Sequence, residues 1–305
     1  MKIVHDIAEM QAVARRERAG GRCIGFVPTM GYLHAGHLEL VRQARAGSDF
    51  VVVSIFVNPT QFNRRDDFEA YPRDDAHDRE LVERAGVDVL FMPRAEDVYG
   101  EGAATSVHVG GLTDGLCGPG RPGHFDGVAT VVAALFNMVG PDRAWFGEKD
   151  YQQLQVVRRM ARDLHFAVEV VGVPTVREAD GLAMSSRNAR LTAEQRAIAG
   201  TIYRALVAAG AAFRRGERQA ARLVEVVRSE LEQQPELRLE YVEVVDGGSV
   251  APVVAATEEC VVAVAAWLGE VRLIDNLPLA RVRAANSISG ASTVRHLSGG
   301  ITPDA

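Results

Sequence analysis

A chain of 305 residues with a net charge of −6, 47% hydrophobic and 24% charged, is ordinary globular material. It is longer than one hydrophobic core needs, so a large domain with a smaller companion is expected. The acidic balance excludes the broad cationic face on which nucleic-acid binding rests and leaves room only for a local basic pocket. The start of the chain is mixed and charged, and no apolar run reaches the roughly 18 residues of a membrane span. Cys23, Cys117 and Cys260 are widely spaced with no C-x-x-C pair, and read as reduced thiols of a cytoplasmic protein.

From the amino terminus, apolar runs alternate with helical periodicity. Residues 22–28 form a strand, 36–46 a helix, 50–57 a valine-rich strand closed by Asn58-Pro59, 74–85 a helix and 87–92 a third strand. Helical patterns at 125–138 and 150–164 enclose a short strand at 144–146, and another strand follows at 167–173. Strands separated by helices imply right-handed crossovers. The expected fold class is therefore α/β, a Rossmann-like parallel sheet covered on both faces with ligands at the carboxyl ends of its strands. Past about residue 188 the texture changes: helices at 192–210, capped by Thr192, and 217–234 precede strands at 237–245, 260–268 and 271–274. These make a smaller C-terminal α+β domain with an antiparallel sheet. The expected division is 1–176, then 177–283, then a disordered tail at 284–305 rich in Ser, Gly, Ala and Thr.

Three segments carry the chemistry. In the run Pro28-Thr29-Met30-Gly31-Tyr32-Leu33-His34-Ala35-Gly36-His37, two histidines stand where a helix begins, and the backbone N–H groups and dipole there favour an anion. Gly31 and Gly36 let the backbone approach a nucleotide. His34 and His37 suit donation to phosphate oxygens; the alternative is that they are surface or capping residues. The run is neither a Walker loop nor a dinucleotide turn. A second segment, Phe146-Gly147-Glu148-Lys149-Asp150, also leaves a strand and enters a helix. Of all the basic residues only Lys2 and Lys149 are lysine. In so arginine-biased a chain, Lys149 is either a chance survivor or a site that wants a compact ammonium. The third, Met184-Ser185-Ser186-Arg187-Asn188, offers hydroxyls and a guanidinium for phosphates, or a turn capping the next helix.

The H-x-G-H turn resembles the nucleotidyltransferase superfamily that includes class I aminoacyl-tRNA synthetases. With the blocks 27–31, 54–62, 71–73, 120–125, 146–153 and 177–188 taken in order, the chain resembles the pantothenate synthetase (pantoate–β-alanine ligase) family over about residues 1–283. The resemblance implies adenylation of pantoate by Mg-ATP, then displacement of AMP by β-alanine. It implies His37, His34 and Lys149 as catalytic, with His37 matching the residue assigned as proton donor. Met30, Gly31, Gly147, Asp150, Val176, Met184, Ser185, Ser186 and Arg187 would join them around ATP. Gln61, Gln153 and Met30 would hold pantoate, Gln61 also approaching β-alanine, and Asp78 would be the metal-contact candidate for Mg²⁺. A homodimer is implied, with no nucleic-acid or membrane partner. The 1–176 domain would bind nucleotide and pantoate, with the 177–283 domain closing as a lid.

Two departures from the family pattern stand out: Thr60 where Met is common, and His77 interrupting an acidic cluster around Asp74, Asp75 and Asp78. Arg121 and His124, on a Gly/Pro-rich loop, read equally as a flap or as structural residues. Competing readings are a nucleotidyltransferase that leaves the nucleotide on its product, an aminoacyl-tRNA synthetase, and a silent ATP-binding protein. The presence of His37 and Lys149 speaks against the last.

Overall fold

The computed structural model describes residues 1–281; the expected tail at 284–305 lies outside them. Six strands, β1 (Lys2–Val4), β2 (Ile24–Thr29), β3 (Phe50–Ile55), β4 (Val89–Phe91), β5 (Arg143–Gly147) and β6 (Glu169–Val173), form one sheet in the order β1-β4-β3-β2-β5-β6. Every pairing in it is parallel. Its four central strands, β2 to β5, are mostly buried, and the period of two divides each between two cores. Phe26, Val52, Phe91 and Phe146 face one core with α1 (Ile7–Ala19). Val27, Val53, Leu90 and Trp145 face the other with α2 (Ala35–Gly47).

Short helices α3 (Arg65–Glu69), α4 (Asp75–Arg84) and α5 (Ala95–Val98) follow β3 and β4. The first core is completed by α6 (His124–Val139) and α7 (Tyr151–Asp163), while Val82 of α4 enters the second. Strand β2 pairs with β3 on one side and β5 on the other. The chain thus reverses its direction of sheet growth between β2 and β5, which opens a crevice above their carboxyl ends.

The second sheet is antiparallel, β7 (Leu237–Asp246), β8 (Cys260–Leu268) and β9 (Val271–Pro278) in that order. One of its faces packs with α9 (Thr201–Arg214) and α10 (Ala220–Leu231) through Val242, Val244, Val262 and Val264. From the other face Val245, Val261 and Ala263 enter the first core of the parallel sheet. The two sheets therefore share apolar packing.

Where the expected elements differ from the observed ones, the causes are local. The first strand and helix, β1 and α1, were not anticipated: β1 has three residues, and α1 hides its Met10, Val13, Ala14 stripe among charges, although Asp6 caps it by accepting from the Glu9 N–H at 2.7 Å. The helix expected over 192–210 is two. α8 (Ala193–Ala199), with the Thr192–Gln195 capping box, ends at Gly200 before α9 begins. That break lies beside Arg196, which pairs with Glu178 at 2.8 Å and with Asp180.

Candidate functional site: a cleft at the switch point

Residues leaving β2 build one wall. Gly31 and Tyr32 both have left-handed backbone, φ 79° and 51°, the second being costly for a residue with a Cβ. The carboxylate of Asp78 holds this bend by accepting from the Tyr32 N–H and the Leu33 N–H, both at 2.7 Å. Only 1% exposed, Asp78 has both oxygens engaged by backbone. Burial pushes its carboxyl upward in pKa and those two N–H groups pull it back. The residue expected to touch a metal is, in this structure, the anchor of the loop.

His34 caps α2. The Gly36 N–H donates to His34 Nδ1 at 3.1 Å, and the His34 N–H donates to His37 Nδ1 at 3.3 Å. A Cβ on residue 36 would come within 2.9 Å of the His34 ring, so the cap requires glycine. The rings lie 4.1 Å apart, tilted by 37°. Because both Nδ1 atoms accept, the neutral tautomer carries its proton on Nε2. Burial, with Lys149 nearby, lowers His34 to about 4. Burial and then His34 lower His37 to about 3. At neutral pH the two rings are uncharged N–H donors, so the capping reading and the functional one are compatible: Nδ1 caps and Nε2 stays free.

The opposite wall comes from β5. Gly147, Lys149 and Asp150 form the turn into α7, with Lys149 Nζ 3.9 Å from the Asp150 carboxylate. Burial works against ionisation of Asp150, but Lys149, Arg187 and Arg121 outweigh it and hold its pKa below the usual range. Asn276 of β9 donates to the carbonyls of Glu148 (2.8 Å) and Lys149 (3.0 Å), and Arg281 pairs with the Glu148 carboxylate. Lys2, the other lysine, makes a surface pair with Glu9 at 2.7 Å.

The third wall is a narrow turn. The Met184 N–H donates to the Val176 carbonyl at 3.0 Å. Asn188 then donates to Glu178 and to the Ala183 carbonyl, both at 3.1 Å, which fixes the base of the Ser185–Ser186–Arg187 loop. At its tip Arg187 lies 3.6 Å from Asp67 on α3, as does Arg190.

A cavity of about 220 Å³ opens among these walls. It is lined by Met30, His34, His37, Gly147, Lys149 and Asp150, and by Val176, Met184, Ser185, Ser186 and Arg187. Gln61 and Gln153 line it too; Gly31 and Asp78 border a neighbouring hollow. Gln61 donates to Met30 Sδ at 2.7 Å and accepts from Asn58 at 3.2 Å. Asn58, 1% exposed, also donates to the Gly127 carbonyl at 3.1 Å and accepts from Thr60 (2.9 Å) and Tyr99 (2.6 Å). The hydroxyl of Thr60, itself an exposed residue, is thereby taken up by the network behind Asn58 rather than by the cavity. Sequence reading missed Asn58; the available signal was a lone amide between the apolar run ending at Val57 and a proline. His124 is buried and donates from Nδ1 to the Gln61 carbonyl at 2.8 Å. Together with the Arg121 contact to its Nε2 at 2.9 Å, this gives the Gly/Pro-rich loop a supporting role under Gln61.

The family comparisons agree with this geometry. The model of the pantoate–β-alanine ligase family matches residues 2–278. The pantothenate synthetase of Heliobacterium modesticaldum is 53% identical over 277 residues, 91% of this chain and 99% of the relative. That of Moorella thermoacetica is 50% identical over 92% of this chain and 99% of its own length. The crystal structure of pantothenate synthetase from Thermus thermophilus superposes with TM-score 0.87 at 51% identity, covering 92% of this chain and 99% of that one. The Francisella tularensis pantoate–β-alanine ligase, solved with a β,γ-ATP compound and β-alanine, gives TM-score 0.75 at 33% identity over 92% and 98% of the two chains. With matches running nearly end to end through both sheets, the chain belongs to the pantoate–β-alanine ligase family.

Proposed function

We propose that the cleft joins (R)-pantoate to β-alanine at the expense of ATP, through an enzyme-bound pantoyl adenylate. A pantoate carboxylate oxygen attacks the α-phosphorus; the new P–O bond forms as the bond to the β-phosphate breaks and pyrophosphate leaves. The β-alanine amine then attacks the acyl carbon. Its C–N bond forms, the acyl C–O bond to phosphate breaks, AMP departs and the amine gives up a proton. No side chain need become a covalent nucleophile, so catalysis rests on positioning and on stabilising charge at phosphorus.

The observation that carries this reading is the pair of neutral histidines whose Nδ1 atoms are tied down by backbone N–H groups, opposite Lys149 across one cavity. Their Nε2–H groups are hydrogen-bond donors for the α-phosphate as its charge grows, the neutral rings keeping their protons. Lys149 and Arg187, with the Ser185 and Ser186 hydroxyls, neutralise and hold the leaving pyrophosphate. Gly147, Asp150, Val176 and Met184 surround the nucleoside and Met30 lines the pantoate pocket, while Gly31, expected beside ATP, borders the neighbouring hollow. Gln61 and Gln153 offer amide donors and acceptors for the hydroxyls and carboxylate of pantoate.

Mg²⁺ would arrive on ATP, held by phosphate oxygens and water as its coordination preference dictates, and it supplies charge neutralisation at the phosphates. Asp78 is committed to the Tyr32 and Leu33 N–H groups and does not fit as its ligand. The protein is a cytoplasmic homodimer in this reading, each chain having a nucleotide- and pantoate-binding unit (1–176) and a smaller unit (177–283) that closes over the nucleotide.

The decisive experiment is exchange of labelled pyrophosphate into ATP, with pantoate but without β-alanine. Exchange that requires pantoate, followed by stoichiometric AMP and pantothenate when β-alanine is added, is the expected result. ATP binding without pantoate-dependent exchange would remove pantoate as the substrate, and nucleotide retained on the product would point to a nucleotidyltransferase.

A further inference from the structure

A second cavity of about 400 Å³ adjoins the first, sharing Lys149, Asp150, Ser185 and Arg187 with it. Five arginines line this second cavity, and four have an acid partner. Arg64 pairs with Asp66, Arg187 and Arg190 with Asp67 at 3.6 Å each, and Arg272 with Glu240 at 2.8 Å. Arg121 has no ion pair among the described residues. Its two contacts are neutral: Nη1 to His124 Nε2 at 2.9 Å and Nη2 to the Gln61 carbonyl at 3.4 Å.

A guanidinium carries five N–H donors, so three stay available at the cavity wall. Removing a cation from water without an anion beside it is costly, and burial accordingly lowers the Arg121 pKa. Its neighbour His124 is no counter-charge: burial, then Arg121, lower it to about 4. The position is also firmly built. Gln152 of α7, 5% exposed, accepts from the Cys117 N–H (3.2 Å) and donates to the Leu112 and Gly115 carbonyls, both at 2.9 Å. The loop that delivers Arg121 is thus stitched to the helix that follows Lys149.

We propose that Arg121 binds the carboxylate of the amine substrate, holding the ω-amino acid with its amine toward the acyl carbon. The proposal rests on the acyl-adenylate reading above. The reacting phosphates engage Lys149 and Arg187, which leaves Arg121 as the cation free for a second anion. Because Arg121 also touches the Gln61 carbonyl, the anion it binds lies next to the pantoate amides. A bidentate guanidinium–carboxylate contact would make the site select an amine bearing a carboxylate over one that lacks it.

The test compares β-alanine with its neutral isostere 3-aminopropanamide as acceptors in the full-length enzyme, for wild type, Arg121→Gln and Arg121→Lys. The KM for β-alanine should rise on the order of 100-fold in Arg121→Gln and less in Arg121→Lys, as expected when a bidentate charged contact is lost or reduced to a point charge. The KM for the amide should stay within a few-fold, so the preference for the carboxylate collapses. Pantoate-dependent pyrophosphate exchange should fall by no more than a few-fold in both variants, because Arg121 reaches Gln61 only through its backbone carbonyl, at 3.4 Å. An equal rise for both amines, with exchange intact, would overturn the assignment. Loss of exchange in both variants would overturn it as well, by placing Arg121 in the first step. A wild-type enzyme without pantoate-dependent exchange would instead sink the underlying reading.

Discussion

Asp78 offers a sharp separation between a metal ligand and a structural anchor. Its carboxylate accepts two backbone N–H groups at 2.7 Å at a site 1% exposed. Those groups belong to a bend where Tyr32 sits at φ 51°. Asp78→Ala would leave two buried donors without a partner, each costing roughly 1–3 kcal/mol, so a loss of about 3–4 kcal/mol is expected. Asp78→Asn keeps one carbonyl oxygen but sets an NH₂ against the other N–H, and should cost about half as much. At roughly 2–4 °C per kcal/mol for a chain of this order of size, Tm should fall by about 6–16 °C in the alanine variant. Pyrophosphate exchange should fall with it, because the bend carries Met30 and leads to His34. The Mg²⁺ concentration giving half-maximal exchange should not move. Thermal melts and a Mg²⁺ titration of Asp78→Asn decide the matter. An unchanged Tm with a tenfold higher Mg²⁺ requirement would refute the anchor and restore the metal role.

The remaining expectations are more direct. With His34 held at about 4 and His37 at about 3, the pH profile of exchange should show no inflection near 6.5; an acid limb there that disappears in His37→Gln would contradict the neutral-donor assignment. Both folded values lie below that of a free histidine, so the unfolded chain binds more protons below about pH 6.5. Stability should therefore decline as pH drops from 6.5 toward 4, and His34→Gln should flatten that slope in urea titrations. Lys149→Ala should slow exchange by on the order of 10²–10³-fold, the usual loss for one strong electrostatic donor, and a near-normal rate would remove it from the mechanism. Asn276→Ala removes the donors to the Glu148 and Lys149 carbonyls and should reduce kcat for exchange by roughly tenfold, at about 1–1.5 kcal/mol; an unchanged kcat would mean that the Lys149 turn holds itself.

How far this was legible depended on range along the chain. The turn from β2 into α2 could be read directly, because His34, Gly36 and His37 interact within three residues, and Thr192 announced its helix for the same reason. Gln152 and Gln153 illustrate the limit. One step along α7 turns a side chain by about 100°, so the first is buried under the 112–117 loop while the second lines the cavity. Periodicity alone could not say which face was which without knowing where that irregular loop goes. The anchoring role of Asp78 could not be read because its partners lie 45 and 46 residues earlier, and an acidic cluster in a sequence does not disclose backbone acceptance. Arg121 was left undecided for a similar reason, since its unpaired state is a property of the whole cavity lining.

The same long-range contacts say how the two sheets divide the work. Asp275 and Asn276 are consecutive on β9. Asn276 clasps the Lys149 turn of the first sheet, while Asp275 makes a two-pronged pair with Arg177 at 2.6 and 3.0 Å. Burial raises the Asp275 pKa and Arg177 opposes it; Arg177 in turn lies 3.8 Å over the ring of Tyr203 on α9. Arg177 opens the narrow turn that ends in Ser185, Ser186 and Arg187. A single strand end therefore holds the bases of both cationic loops. A closing motion of the smaller unit would pivot beside Asn276, so Lys149 would move little while Arg187, farther out, would swing. The contacts from Arg187 and Arg190 to Asp67, at 3.6 Å, are long enough to be surrendered to phosphate oxygens, which form shorter charge-assisted bonds. On the proposed chemistry, Lys149 would be the fixed cation at the phosphates and Arg187 the exchangeable one.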